Sequence, residues 1–136
     1  MNVYLVKATN PLLPELLPRY KSGYTKWGKD NIVEKRFRYN DDFDGLDVEL
    51  LAVKYIQHDD ARVARKMCED LEERIFQHIP KKAYATADNI EEYFQIEPRS
   101  ESFGCTEFHH LDINELYETD DDLIDHWVAV TGGKRV

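Results

Sequence analysis

Cysteine is almost missing from this chain. Its two thiols, Cys68 and Cys105, are too few for a disulfide framework. Cys105, His109 and His110, with His78, raise zinc as an idea, but no second close pair supplies the spacing a structural zinc site needs. No apolar run approaches the roughly 20 residues of a membrane-spanning helix, and no cationic start followed by an apolar stretch marks a leader peptide. The expectation is a cytoplasmic protein with no membrane association. Glycine is scarce, six residues in 136, and none is grouped into a phosphate-cradling loop. No Ser/His/Asp arrangement and no internal repeat is readable. What is left is one domain, residues 1–136, long enough for a single core and too short for two.

Charge is abundant and unevenly placed. The formal net charge is −9, yet residues 1–38 carry eight basic side chains against three acidic ones. The negative excess lies entirely beyond them, and residues 112–125 hold seven carboxylates and no Lys or Arg. Charge acts locally once salt screens it beyond roughly 8–10 Å, so only one side of the molecule is placed to attract a polyanion. The plainer reading of the basic stretch is an ordinary solvated face.

Alternation in "NVYLVKA" predicts a strand with Val3 and Leu5 on one face and Tyr4 and Val6 on the other. "RYKSGYT" predicts a second strand. Between them, Pro11, Pro14 and Pro18 forbid regular structure, and the four leucines of this loop are expected to cap the core or to meet a partner. Asp30 reads as the N-cap of a helix with Ile32, Val33 and Phe37 inward. "DVELLAVKYI", residues 47–56, is the clearest strand. Residues 61–79 read as a long helix burying Ala64, Met67, Cys68, Leu71, Ile75 and Ile79, stopped by Pro80. "NIEEYF" suggests a short helix and "CTEFHHLD" a short strand. "DDLIDHWVAVTGG" reads as a final helix, with Asp120 to Asp122 at its positive end and Gly132 past its last turn. The expected class is α+β: a small mixed or antiparallel three-stranded sheet flanked by helices, with an acidic helical C-terminal extension over 112–136.

Residues three and four apart on a helix are neighbours, so each charged group can be placed by its company. Arg36 borders the buried stripe, with Ile32 and Val33 one turn behind, whereas Arg38 keeps company with Glu34, Asp41 and Asp42. Glu72 lies between Cys68 and Phe76 and is expected to be half-buried; Glu73, between Glu69 and Gln77, is not. A carboxylate beside apolar neighbours requires a cation. That cation is Arg36 in a structural ion pair, or a metal ion.

In order along the chain, "NVY", "YKSG", "VEKRF", "DLEERIFQHI" and "GCTEFHHL" resemble the successive motifs of the GIY-YIG nuclease superfamily over residues 2–111. The resemblance implies a small sheet-and-helix domain that hydrolyses nucleic-acid phosphodiesters. It matches Tyr4 to the first-motif tyrosine, Gly23 to the second-motif glycine, Arg36 to the family arginine and Glu72 to the metal-binding glutamate. Gly104, Glu107 and Phe108 match the late strand. Lys21 stands where the second motif usually has tyrosine, similar to the phage and mobile-element branch that reads Lys-Ile-Gly, which implies a bacterial host cell. Asn40 occupies a place where many relatives have histidine.

The resemblance implies that Glu72 binds Mg²⁺ or Mn²⁺, Arg36 stabilises the transition state, and Tyr4 positions or deprotonates the water. An ordinary phenol titrates near pH 10, so a base at neutral pH needs a cation beside it, and Lys21 on the adjacent strand is that candidate. A one-residue register slip would exchange it with Tyr20 or Tyr24. Lys26, Trp27, Lys29 and Lys35 are the expected contacts to DNA, with Trp27 either stacking or simply packed in a turn. Two other readings stand beside the metal-dependent endonuclease. One is a nuclease fold without turnover that binds nucleic acid or protein. The other is an acidic module whose C-terminal segment meets a basic partner. Leu123, Ile124, Trp127 and Val128 would either form a homodimer or cover the domain's own core.

Overall fold

The described residues form an α+β fold around a four-stranded antiparallel sheet. The computed structural model describes residues 1–15, 18–38, 46–79, 117 and 119–136, without the side chains of Arg36 and Arg38. Strands β1 (Asn2–Thr9), β2 (Arg19–Thr25) and β3 (Asp47–Tyr55) stand where alternation predicts them. Helix α1 spans Ala61–His78 and helix α2 spans Asp120–Thr131. The fourth strand, β4, is Lys134–Arg135, and the sheet order is β2-β1-β3-β4. The three-stranded expectation is therefore corrected by one strand. A two-residue strand has no periodicity to read; here it exists because α2 delivers it to the edge of β3. The predicted short helix and strand at "NIEEYF" and "CTEFHHLD", with Asn40, lie outside the described residues.

β1 is central and buried on both faces. Val3 and Leu5 join Tyr20, Leu51, Ala52 and Ile56 under Cys68 and Ile75 of α1, Ile79 just past its end, and Leu123, Ile124 and Trp127 of α2. Tyr4, Val6 and Ala8 face the other way, against Ile32 and Phe37. A bulge in β3 between the partners of Leu5 and Val6 leaves Leu51 without a β1 partner, which lets Leu51 and Ala52 enter the same cluster.

Residues 29–38 depart from the expected helix. Lys29–Asn31 form a 3₁₀ turn preceded by Gly28, and Val33–Arg38 a wide π-type turn. Asp30 lies within the first turn and is not a cap. Five residues of α-helix rotate about 140° beyond a full turn, which would separate Ile32 from Phe37; the wider i to i+5 turn lets both be buried.

Asp60 caps α1 by accepting from the Arg62 and Val63 amides. Its buried line runs through Ala64, Cys68 and Ile75. Met67, expected inside, is 41% exposed, because it sits about 80° from that line. Leu12 is likewise corrected from a core cap to an exposed side chain, 85% accessible; the Asn10 side chain accepts from its amide and turns the loop outward. Leu13 is half-buried, and Leu16 and Leu17 lie outside the described residues.

Thr119 caps α2, and Gly132, at φ 68°, ends it in the left-handed region that favours glycine. A Cβ on Gly133 would come within 2.5 Å of the Val53 carbonyl oxygen, so glycine is what permits β4 to reach the sheet. The indole of Trp127 is wholly buried and donates to Ser22 Oγ at 3.0 Å. The apolar face considered for a homodimer is thus used inside the chain: Leu123, Ile124 and Trp127 are 0%, 2% and 0% exposed. Among the described residues no helix is long and apolar enough to cross a membrane.

Removing the indole leaves a cavity and takes away its hydrogen bond to Ser22 Oγ. Trp127→Ala is expected to lower unfolding stability by about 3–5 kcal/mol, measured by urea denaturation; a loss under about 1 kcal/mol would contradict the placement of α2 in the core.

Candidate functional site

Directly paired residues of antiparallel strands share a face. Tyr4 pairs with Gly23, Val6 with Lys21 and Ala8 with Arg19 across β1 and β2, which sets Tyr4, Lys21 and Gly23 on one face. Tyr20, the alternative partner of the chemistry, pairs with Lys7 and belongs to the opposite face. The Tyr4 ring lies over Gly23: a Cβ there would stand 2.6 Å from the Tyr4 hydroxyl oxygen and 2.9 Å from Cζ. Phe37 meets Tyr4 edge to face, at 5.6 Å between centroids and 86° between planes, so the turn bearing Arg36 covers the tyrosine. Tyr4 and Lys21 are 1% and 2% exposed. The Arg36 side chain lies outside the described residues, as do Gly104, Cys105, Glu107, Phe108, His109 and His110.

Glu72 is half-buried and Glu73 exposed, as their helical neighbours predict. Glu72 belongs to α1, whose buried line packs on the Val3 and Leu5 face of the sheet; Tyr4 belongs to the other layer. Magnesium is held by one or two carboxylates, with water and substrate phosphate completing its shell. A single half-buried carboxylate at Glu72 meets that minimum. Among the described residues no group of three or more His, Cys, Asp or Glu is arranged to hold a metal ion. His78, weighed as a zinc ligand, instead faces His126 at 6.5 Å between rings, and His126 Nδ1 is 2.5 Å from the Tyr117 hydroxyl.

The basic stretch is displayed on the surface. Lys26, Trp27, Lys29 and Lys35 are all exposed. The Lys26 and Lys35 ammonium groups lie 5.1 and 5.8 Å from the Trp27 ring centroid, within cation–π range. The turn is held from both sides, with Asn2 Nδ2 donating to the Trp27 carbonyl at 3.0 Å and the Trp27 amide donating to Thr25 Oγ1 at 3.3 Å.

One cluster was not foreseen. Lys7 donates to Asp120 Oδ2 at 2.5 Å, and the Tyr20 hydroxyl donates to Asp120 Oδ1. Burial raises the Asp120 carboxyl, but hydrogen bonds from Lys7 and Tyr20 and the charges of Lys7 and Arg135 outweigh it and hold it below the ordinary range. Burial, and then the hydrogen bond to Asp120, push the Tyr20 phenol far above its usual range. Asp121 pairs with Arg135 of β4, so part of the acidic segment is neutralised within the chain. Comparison with protein-family models, curated proteins and solved structures finds no match to this chain.

Two outcomes are expected. Gly23→Ala would force a methyl group into the Tyr4 ring and lower stability by about 1–3 kcal/mol; Tyr4→Phe in the same chain would relieve part of it, and strict additivity of the two in a double-mutant cycle would contradict the contact. Because the folded Asp120 is the stronger acid, its contribution is present above roughly pH 4 and lost as pH falls through its lowered value. Stability of Asp120→Asn should therefore converge on that of the native chain toward pH 2, and a gap independent of pH would contradict the ion pair.

Proposed function

We propose that this chain is a metal-dependent endonuclease of the GIY-YIG type that hydrolyses DNA phosphodiester bonds, of the kind carried by phages and mobile elements. The observation that carries the reading is the contact of Tyr4 with Gly23. The first and second motifs, separated in the sequence by a proline-rich loop, meet as a direct cross-strand pair, and the glycine is required by the tyrosine lying on it. Lys21 stands diagonally from Tyr4 on the same face, one pair along, within reach of long side chains.

Hydrolysis requires a held water, stabilised charge on the phosphoryl oxygens and a shielded site. In this reading Tyr4 positions the attacking water and, as the phenolate form beside the Lys21 ammonium, takes its proton to become the neutral phenol while the water oxygen bonds to phosphorus and the bond to the leaving oxygen breaks, that oxygen taking its proton from solvent. Arg36 donates to the phosphoryl oxygens as their charge grows. Glu72 would hold Mg²⁺ or Mn²⁺, which when bound neutralises charge on the phosphate. Lys26, Lys29 and Lys35 hold the flanking backbone.

A second reading, a nuclease fold that binds nucleic acid without turnover, is favoured by the burial of Tyr4 and Lys21 and by the layer that carries Glu72. Glu72→Gln separates the two. The enzyme reading expects cleavage of a labelled duplex in Mg²⁺ to vanish while binding persists. Unchanged cleavage would contradict the metal-ligand role, and binding without cleavage by either protein would establish the second reading. With three lysines on phosphates, affinity for duplex should fall roughly 20- to 40-fold between 50 and 200 mM salt.

A further inference from the structure

We propose that Trp27 is a stacking platform for an unpaired base, so that the lysine-rich turn takes single-stranded DNA in preference to continuous duplex. This rests on the nucleic-acid reading above and names the form of substrate. The chain has two tryptophans: Trp127 is 0% exposed, and Trp27 is 37% exposed. A single ring at the surface is ordinary on its own; what sets this one apart is the backbone that presents it and the lysines beside it. Its carbonyl and amide are both fixed, to Asn2 and Thr25, so the backbone that carries the ring is set before a ligand arrives and less ordering is needed on binding.

The surroundings select the ligand. Lys26 and Lys35 stand over the ring at 5.1 and 5.8 Å, where they can transfer to the phosphates flanking a base stacked on the indole. Inside a duplex, both faces of every internal base are covered by neighbours, so a protruding ring meets only backbone and groove edges. An unpaired base offers a free π face, and base–aromatic stacking contributes strongly whatever the base. Asp30 and Glu34 alternate with the lysines in the same segment. That alternation weakens the unbroken positive field from which duplex affinity is mainly built and leaves stacking as the larger share.

The test uses the full chain in EDTA, so that no strand is cut, titrated with a 12-nucleotide oligo-dT and with a 12-base-pair duplex while tryptophan emission is followed. Single strands should quench Trp27 and bind about tenfold more tightly than duplex. Trp27→Leu should abolish the quenching and cost about tenfold in single-strand affinity. Duplex affinity should be unchanged, the remaining Trp127 emission should report an intact core, and Trp27→Phe should restore most of the binding. Equal affinity for the two forms, or a Trp27→Leu chain that binds single strands as well as the native one, would overturn the platform alone. Binding of neither form would overturn it together with the nucleic-acid reading. Quenching by single strands in a protein that cuts nothing in Mg²⁺ supports the platform and removes only the hydrolase.

Discussion

β1 has no solvent face, and that constraint organises the molecule. A strand with Val3 and Leu5 on one side and Tyr4 and Val6 on the other, all within 1% of complete burial, must be covered twice. Apolar surface left in water would forfeit roughly 25 cal/mol for each Å². α1 and α2 cover one side, and the turns at 29–38 cover the other. Each cover needs a device where its fit is tight: a wide π-type turn that buries both Ile32 and Phe37, a bulge that sends Leu51 inward, and glycines that let β4 close on β3.

The same constraint shapes the candidate site. Tyr4 is buried because it belongs to the doubly covered strand, and Gly23 is glycine because that buried ring needs the room. Trp27 follows from the end of β2, where the sheet stops being covered and the chain turns into solvent. A closed face and an open patch therefore adjoin along one short segment. The acidic C-terminal helix stands on the other side, and Asp120 is satisfied there by Lys7 and Tyr20. Among the described residues, the turn bearing Ile32 and Phe37 and the acidic start of α2 thus stand on opposite faces of the sheet.

Much of this was legible from periodicity. Alternation separated Tyr4 from Val3 and, across the pair, set Lys21 beside Tyr4; helical neighbours distinguished half-buried Glu72 from exposed Glu73. What was hidden depended on tertiary delivery. β4 has two residues and no pattern of its own, and it forms because α2 ends at Gly132. The contacts of Asp120 join residues 113 and 100 positions apart, which no local rule connects. Leu12 and Met67 show the opposite error, in which hydrophobicity alone assigned burial although the loop direction and the helix angle put them outside.

The proposed function requires that the face built by Tyr4, Gly23 and Lys21 serve phosphodiester hydrolysis, with Arg36 acting on the phosphate. The most direct measurement is to incubate the purified chain with high-complexity genomic DNA in Mg²⁺ or EDTA, beside an Arg36→Ala chain, and to sequence the new ends. A nuclease of the proposed kind leaves ends that need the metal, vanish in the variant and share a sequence or structural context. End counts in Mg²⁺ that match EDTA, or that persist in Arg36→Ala, would contradict it.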